Sequence, residues 1–502
     1  MKNRIVISLL AGTLALGACN LDETPYGFYS EENFFKTAAD AEAAVMYAYG
    51  TLNYLEYSRT IFFLGDMASE TMTTKSDASA DNQDLNNWKV GNFKTNGSLE
   101  NFFKYAFIGV NRANAVIKKV PDAGFSQEQK DLFLGEAYFL RAWNYFNLVR
   151  NFGLVPLHKS VVETVDQTST ALAPDMDAMY DLILSDCRRA AELLPVYETP
   201  KIGRADRVAA QALAAKAYLY VASAKEHGVK LYRDMHRDAT VMYDSAAYFA
   251  GEVIEKQSVY GFESSLLDIY DVEKARGKEH IFIMAMDRSG SSEGQYSKIS
   301  KMFIPYIDGA TLYLKQGDKD EYIPTHDGWG EYQTTVAFYN TFDASDKRKT
   351  ELIVDKVYKA DGTLLGEYPG KIPYPFCRKY IDPKFEGDKT STRPFLLRFS
   401  DVALIYAEAA GPTAKAYELV NFIRSRAGLG DMKPNLGKDE FRREILKERT
   451  FELAFEGDHV YDLRRWNRIT TDVPEAAGLS EDQVTFYPIP QAEINLNGSL
   501  RP

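Results

Sequence analysis

Ala209-Ala210-Gln211-Ala212-Leu213-Ala214-Ala215-Lys216-Ala217-Tyr218 is the stretch that settles the fold class. Alanine is the best helix former, and its short side chain lets helix axes approach closely. The run predicts a helix over Asp206–Lys225, followed by a second over Ala239–Lys256. Upstream, Gly135, Ala137 and Ala142 interleave with Tyr138, Phe139, Trp143, Tyr145 and Phe146 in a helix predicted over Glu128–Asn151. Small beside large is what close helix packing needs. Further helical periods cover Ala41–Tyr49 after a cap-like Thr37 to Asp40 start, Leu99–Val120, Asp175–Leu194, Asp401–Ala410, Thr413–Ala427 and Asp439–Glu456.

Two regions lack that period. Asp66–Gly97 is polar and reads as one long loop, and loops of that length usually carry function or disorder. Gly277–Arg398 is rich in Gly, Ser, Asp, Pro and aromatic residues, with a short strand predicted at His280–Met286 and a hairpin turning at Asp361-Gly362. The expected fold is mainly α, with antiparallel helix pairs that resemble tetratricopeptide repeats, and a loop-rich subdomain carrying a few short strands. No regular 34-residue period is visible, so a generic helical bundle is the alternative. The expected organisation is a leader over 1–18, a helical region over 19–276, and a loop-rich insertion with a C-terminal region over 277–502, packed as one globular unit.

The leader is read from Lys2 and Arg4 before an apolar run, Ile5 to Ala18, that closes on Leu16-Gly17-Ala18-Cys19. As a helix this run spans about 21 Å, short of a ~30 Å hydrocarbon core, so it reads as a signal peptide. A Cys directly after Leu-Gly-Ala resembles the lipid acceptor of bacterial lipoproteins. Cys19 is therefore the expected first residue of a lipid-anchored mature chain, and Asp22 and Glu23 soon after it resemble lipoproteins on the outer face of the outer membrane, which implies that location, facing the cell exterior. The net charge of −12 disfavours nucleic acid and anionic headgroups as partners. Cys187 and Cys377 are expected to be free thiols.

Catalytic and metal chemistry find little support. Gly290-Ser291-Ser292-Glu293-Gly294 fits G-x-S-x-G, but that elbow needs a parallel sheet before it and a helix directly after the serine. The six His are scattered without ligand spacing. No cofactor is expected. Asp318, Asp320 and Glu321 would be the place for a structural Ca²⁺, although a solvated acidic turn explains them as well.

The polar loops do hold aromatic rings that could stack on the C–H face of a sugar, with Asp, Asn and Arg nearby to meet its hydroxyls. The candidates are Trp88 with Asp81 and Asn86, and in the insertion Arg288, Tyr296 and Trp329. Trp88 is the first choice for its polar setting; for Trp329, in Gly328-Trp329-Gly330, a core anchor and a ligand platform stand level.

The closing motifs carry a family resemblance. Arg398-Phe-Ser-Asp-Val-Ala-Leu-Ile-Tyr-Ala-Glu408, Val420 to Leu429, Ile445 to Gly457, Tyr461-Asp-Leu-Arg-Arg-Trp466 and Tyr487-Pro-Ile-Pro490, with Phe139 to Pro156 and Cys19 to Pro25, resemble the SusD/RagB family in order. The family often has Arg where this chain has His459. The resemblance implies a non-catalytic surface lipoprotein that binds oligosaccharides and hands them to a SusC-like TonB-dependent transporter. The alternatives are an oligopeptide ligand, as in RagB-like members, and a tetratricopeptide-type scaffold for a protein partner. The charges at Glu448, Arg449, Glu452, Glu456, Asp462, Arg464 and Arg465 are expected to form a structural network.

Overall fold

The computed structural model describes residues 35–199, 201–256, 258–274, 276–292 and 294–501; the leader and Cys19 lie outside them. The first half holds α1 (Ala38–Asn53), α2 (Leu55–Phe62), β1 (Met72–Thr74), α3 (Ala80–Asn86), α4 (Gly97–Lys119), α5 (Gln127–Phe152), α6 (Met176–Leu193), α7 (Arg207–Glu226) and α8 (Ala239–Lys256). Local chemistry sets the starts. Thr37 and Asp40 form a reciprocal capping box on α1, Ser126 and Gln129 do so on α5, and the Asp206 carboxylate accepts the Ala209 N–H on α7. Consecutive helices α4 to α8 pack in sequence, and α7, the alanine-rich one, is buried on every side over residues 208–224. Mainly-α architecture and stacked helix pairs are thus what the chain adopts.

The middle contains α9 (Leu266–Ile269), β2 (His280–Ile283), α10 (Ile299–Phe303), β3 (Leu312–Lys315), β4 (Tyr322–Thr325), β5 (Tyr332–Thr334), α11 (Val336–Thr341), α12 (Lys347–Leu352), β6 (Ile353–Val354), β7 (Lys356–Tyr358), β8 (Leu364–Glu367), β9 (Phe376–Cys377) and β10 (Phe395–Arg398). Its sheets are small and antiparallel: β4-β3-β7-β8, β1 with β5, β2 with β10, and β6 with β9. The β7–β8 hairpin turns at Asp361-Gly362, with Gly362 at φ 81°. Helices α13 (Phe399–Ala410), α14 (Ala414–Arg426), α15 (Lys438–Glu452) and α16 (His459–Arg465) complete the frame, and α13 packs on α8.

Asp66–Gly97 is not one loop. It contains β1 and α3, with Ser79 capping α3 through the Asn82 N–H. These short pieces are held by contacts distant in sequence, since Met72, Thr73 and Thr74 pair with Thr334, Gln333 and Tyr332. Local periodicity carries no trace of such a partner.

Beside α16 the two ends of the chain meet closely. A Cβ at Gly65 would lie 1.9 Å from the Gly457 carbonyl oxygen, so only glycine permits the approach. The buried Asp66 carboxylate accepts N–H groups from Gly457 (2.6 Å) and His459 (3.3 Å), and His459 Nε2 sits 2.7 Å from Glu70 Oε1. Burial alone would lower the His459 pKa, but the Glu70 and Asp66 carboxylates outweigh it and raise it to about 9. A group whose folded pKa is raised stabilises fully below its unfolded value and loses that contribution as pH rises through the folded one. We expect about 2 to 3 kcal/mol to be lost between about pH 6.5 and about pH 9. Calorimetric melting across that range should show a falling Tm that His459→Gln flattens; an unchanged slope in the variant would refute the assignment.

Candidate functional site

Trp329 is presented by backbone packing rather than by its own side chain. The segment Gly328-Trp329-Gly330 lies against the end of α10, with N–H groups donating to the carbonyls of Pro305 (3.0 Å), Lys301 (2.7 Å) and Ile304 (3.0 Å). A Cβ at Gly328 would fall 1.9 Å from the Ile304 oxygen. With the backbone pressed inward, the indole stands outward at 38 % exposure, and Tyr306, which follows Pro305, stands out at 69 %. The Lys301 ammonium lies 5.7 Å from the indole ring centre and also pairs with Asp388 at 2.5 Å. Asp388 is followed by Lys389, whose ammonium sits 4.9 Å from the centre of the half-buried Tyr296 ring. Trp329 and Tyr306 are therefore two exposed rings on adjoining backbone at the end of α10, and the half-buried Tyr296 is linked to them through Lys301, Asp388 and Lys389.

The N-terminal segment closes one side of this region. Glu331, two residues after Trp329, accepts from Asn82 Nδ2 (2.8 Å) on α3 and from Thr74 Oγ1 (3.4 Å) on β1, and Lys75 lies 3.6 Å away. The β1–β5 ladder fixes this junction. On the other side Asp327 Oδ2 accepts the Gly309 N–H at 2.9 Å and orders the turn through Asp308. Lys301 pairs here with Asp388, Lys75 with Glu331 and Lys371 with Asp308, while the Lys389 ammonium donates to the Gly290 carbonyl. Such a surface offers ring planes and hydrogen-bonding groups with most of its charge locally paired.

Four of the sequence candidates take other roles. Trp88 is 3 % exposed, its indole N–H donates to the Ala68 carbonyl at 3.1 Å, and its ring stacks near Tyr487 (6.3 Å). It is a core anchor, and the expected Trp88 platform is corrected: a ring enclosed on both faces cannot stack on a ligand. The apolar spacing Leu85, Trp88, Phe93 carried that signal. Asn86 is buried at the end of α3. Asp81 is half-buried in the first turn of α3, its carboxylate against Gly97 and its carbonyl accepting from Asn96. Arg288 is spent structurally, bidentate to Asp382 (2.7 and 2.9 Å) and bonded to Glu273 (2.8 Å). Tyr306 and Asn82 were not among the residues the sequence singled out; only the fold separates exposed Tyr306 from Tyr332, which is fully buried.

The hydrolase motif has the wrong surroundings. Ser292 sits in a turn closed by the Gln295 N–H donating to its carbonyl (3.1 Å), and the next helix, α10, begins only at Ile299. The preceding strand, β2, is antiparallel to β10. His326 bonds Ser300 at 3.0 Å and is buried. Among the described residues no group of three or more His, Cys, Asp or Glu could hold a metal ion, and no helix is long and apolar enough to cross a membrane. Cys187 and Cys377 are buried free thiols, and burial pushes the Cys377 thiol up to about 12.

Comparison with known proteins places this geometry. A family model described as the SusD family matches residues 357–485, and one described as starch-binding associating with outer membrane matches residues 21–219. A SusD-like protein of Formosa agariphila is 27 % identical, aligned over 100 % of this chain and 99 % of its own. Among solved structures, a laminarin-binding SusD-like protein superposes with a TM-score of 0.74 at 24 % identity, covering 92 % of this chain and 98 % of its own. Surface glycan-binding protein A from Bacteroides thetaiotaomicron, in complex with laminarihexaose, gives 0.71 at 20 % identity, covering 92 % and 98 %. No enzyme family is indicated. Family models at both ends, a relative aligned end to end and a shared fold lead to one conclusion: the chain belongs to the SusD/RagB family.

Proposed function

We propose that this chain is a non-catalytic, cell-surface oligosaccharide-binding lipoprotein, anchored through Cys19 to the outer membrane, that captures neutral glycan on the Trp329–Tyr306 face for import through a SusC-like TonB-dependent transporter. The observation that carries the reading is the indole of Trp329, held 38 % exposed by a backbone with no room to move inward. A large ring held in water by its backbone is free to be covered, and a pyranose presents a matching apolar face. Asn82 and Lys75, both partly exposed and joined to Glu331 two residues after Trp329, are the polar groups proposed to meet the sugar's hydroxyls. The printed ligands of two structural neighbours, laminarin and laminarihexaose, support a glycan. The pairing of most charges there favours a neutral one. Tethering at Cys19 would raise the effective concentration of the protein at its transporter.

The test is titration calorimetry of the purified mature protein against laminarihexaose, maltohexaose, xylohexaose and a mixed pool of hexapeptides, at low and high salt. Heat of binding to a neutral hexasaccharide, insensitive to salt, is the expected result. Salt-sensitive binding to peptides with none to glycans would overturn the reading in favour of an oligopeptide carrier.

A further inference from the structure

A second concavity, of about 600 Å³, opens at the opposite end of the β3–β4 hairpin from Trp329. The hairpin tip, including Asp318 and Glu321, forms one wall, and the end of α12 with Glu351 forms another. Trp329 follows the far end of β4, so about 13 Å of strand separates the two places. Its volume suits one or two sugar rings.

Its floor is chemically unusual for this protein. Arg378 is 8 % exposed, and its guanidinium donates to the Lys315 carbonyl and to Gln316 Oε1 (2.6 Å). Most other deeply buried arginines are met by carboxylates, Arg398 by Glu279, Glu452 and Glu456, Arg465 by Glu408 and Asp462, Arg348 by Asp346 and Glu448, with Arg464, bonded to the Arg150 carbonyl and Asn151, as another exception. Arg378 touches none, and burial, partly offset by Glu351 nearby, pushes its pKa down to about 10. A buried cation without a carboxylate is costly, so the site has a reason other than stability to keep it. Glu351 is its counterpart: half-buried, held above the usual carboxylate range by burial, and without hydrogen bond or ion pair among the described residues.

The β6–β9 ladder sets these two groups side by side without contact. Cys377 pairs with Ile353, and the Arg378 N–H donates to the Leu352 carbonyl at 2.9 Å, which leaves Arg378 beside the end of α12 and Glu351. A donor and an acceptor so placed match two adjacent hydroxyls, one accepting from the guanidinium and the other donating to the carboxylate. An anionic ligand would face Asp268, Asp271, Asp318, Glu321 and Glu351, and a cationic one would face Arg378 and Lys319. From this we infer that the cavity bounded by Arg378, Glu351 and the β3–β4 tip is a second binding site, for the vicinal diol of a neutral sugar ring, separate from the Trp329 face.

Saturation-transfer NMR with the methyl glycosides of glucose, galactose, mannose and xylose, alongside glucosamine, glucuronate and a calcium titration, tests this on the intact mature protein. Because the Trp329→Ala variant lacks the aromatic face, transfer to at least one neutral glycoside should persist in it. Glu351→Gln introduced into that variant should then weaken the interaction about tenfold, the scale of a hydrogen bond to a charged group. Arg378→Lys should do the same, and an unchanged Tm in the Glu351→Gln protein keeps the comparison valid should Arg378→Lys misfold. No transfer to any of the four glycosides, transfer unaffected by Glu351→Gln, or preference for glucosamine, glucuronate or calcium would overturn the proposal. Oligosaccharide binding at the Trp329 face is read separately by calorimetry, so either site can fail alone.

Discussion

Trp329→Ala is expected to abolish measurable glycan binding while leaving the Tm within about a degree of the parent. The indole projects from a backbone fixed by three N–H bonds that do not involve its side chain, so removing the ring takes away ligand contact and little packing. Covering roughly 80 Å² of ring face at about 25 cal/mol per Å² is worth about 2 kcal/mol. That is roughly thirtyfold in Kd. For a shallow face with modest affinity, such a loss moves binding below detection. Tyr306→Ala should produce a smaller loss of the same kind, and Trp88→Ala should do the reverse, since its ring lies in the core and its N–H serves Ala68. Unaltered affinity in Trp329→Ala would move the site off this face.

The largest effect on stability is expected from Arg449→Ala. The guanidinium is wholly enclosed and donates to Asp462 Oδ2 (2.8 Å) and Asp401 Oδ1 (2.8 Å). Asp401 also receives Lys216 (2.9 Å), and Asp462 receives Arg465 (2.8 Å), which in turn grips Glu408. This network ties α7, α13, α15 and α16 together. Breaking one partner of a buried pair costs about 3 to 5 kcal/mol, because the remaining charge stays out of water. Lys216 and Arg465 remain, so the lower end applies, with a Tm fall of about 3 °C. Burial alone would raise the Asp462 carboxyl, but Arg449 and Arg465 outweigh it and hold it well below the usual range. A depressed carboxyl stabilises above its unfolded pKa and stops doing so as pH falls through the folded value. The variant should therefore lose stability most at neutral pH and converge on the parent in strong acid. Weakened glycan binding at an unchanged Tm would contradict this structural role.

What was legible in the sequence follows from how local each signal is. The helices declared themselves because alanine content, capping residues and a 3.6-residue period all act within one segment; the prediction of Ala239–Lys256 coincides with α8. The Asp361-Gly362 hairpin was equally local, since the turn demands φ > 0 at one residue. The β1 and α3 elements were invisible because their partners, Tyr332–Thr334 and Glu331, lie some 250 residues away. The site was half legible for the same reason. Trp88 and Trp329 have similar polar neighbours, and only the three-dimensional path shows that Tyr487 covers one while backbone bonds to Lys301, Ile304 and Pro305 hold the other's backbone inward and leave its ring exposed. Arg288 shows the same limit, since nothing near it in sequence announces Asp382.

The most direct test is a crystal structure of the mature protein with the neutral hexasaccharide that calorimetry selects. The account predicts an intact oligosaccharide with one pyranose ring lying flat on the Trp329 indole and its neighbour reaching Tyr306. A glycan seated away from both rings, or found cleaved in the site, would contradict it.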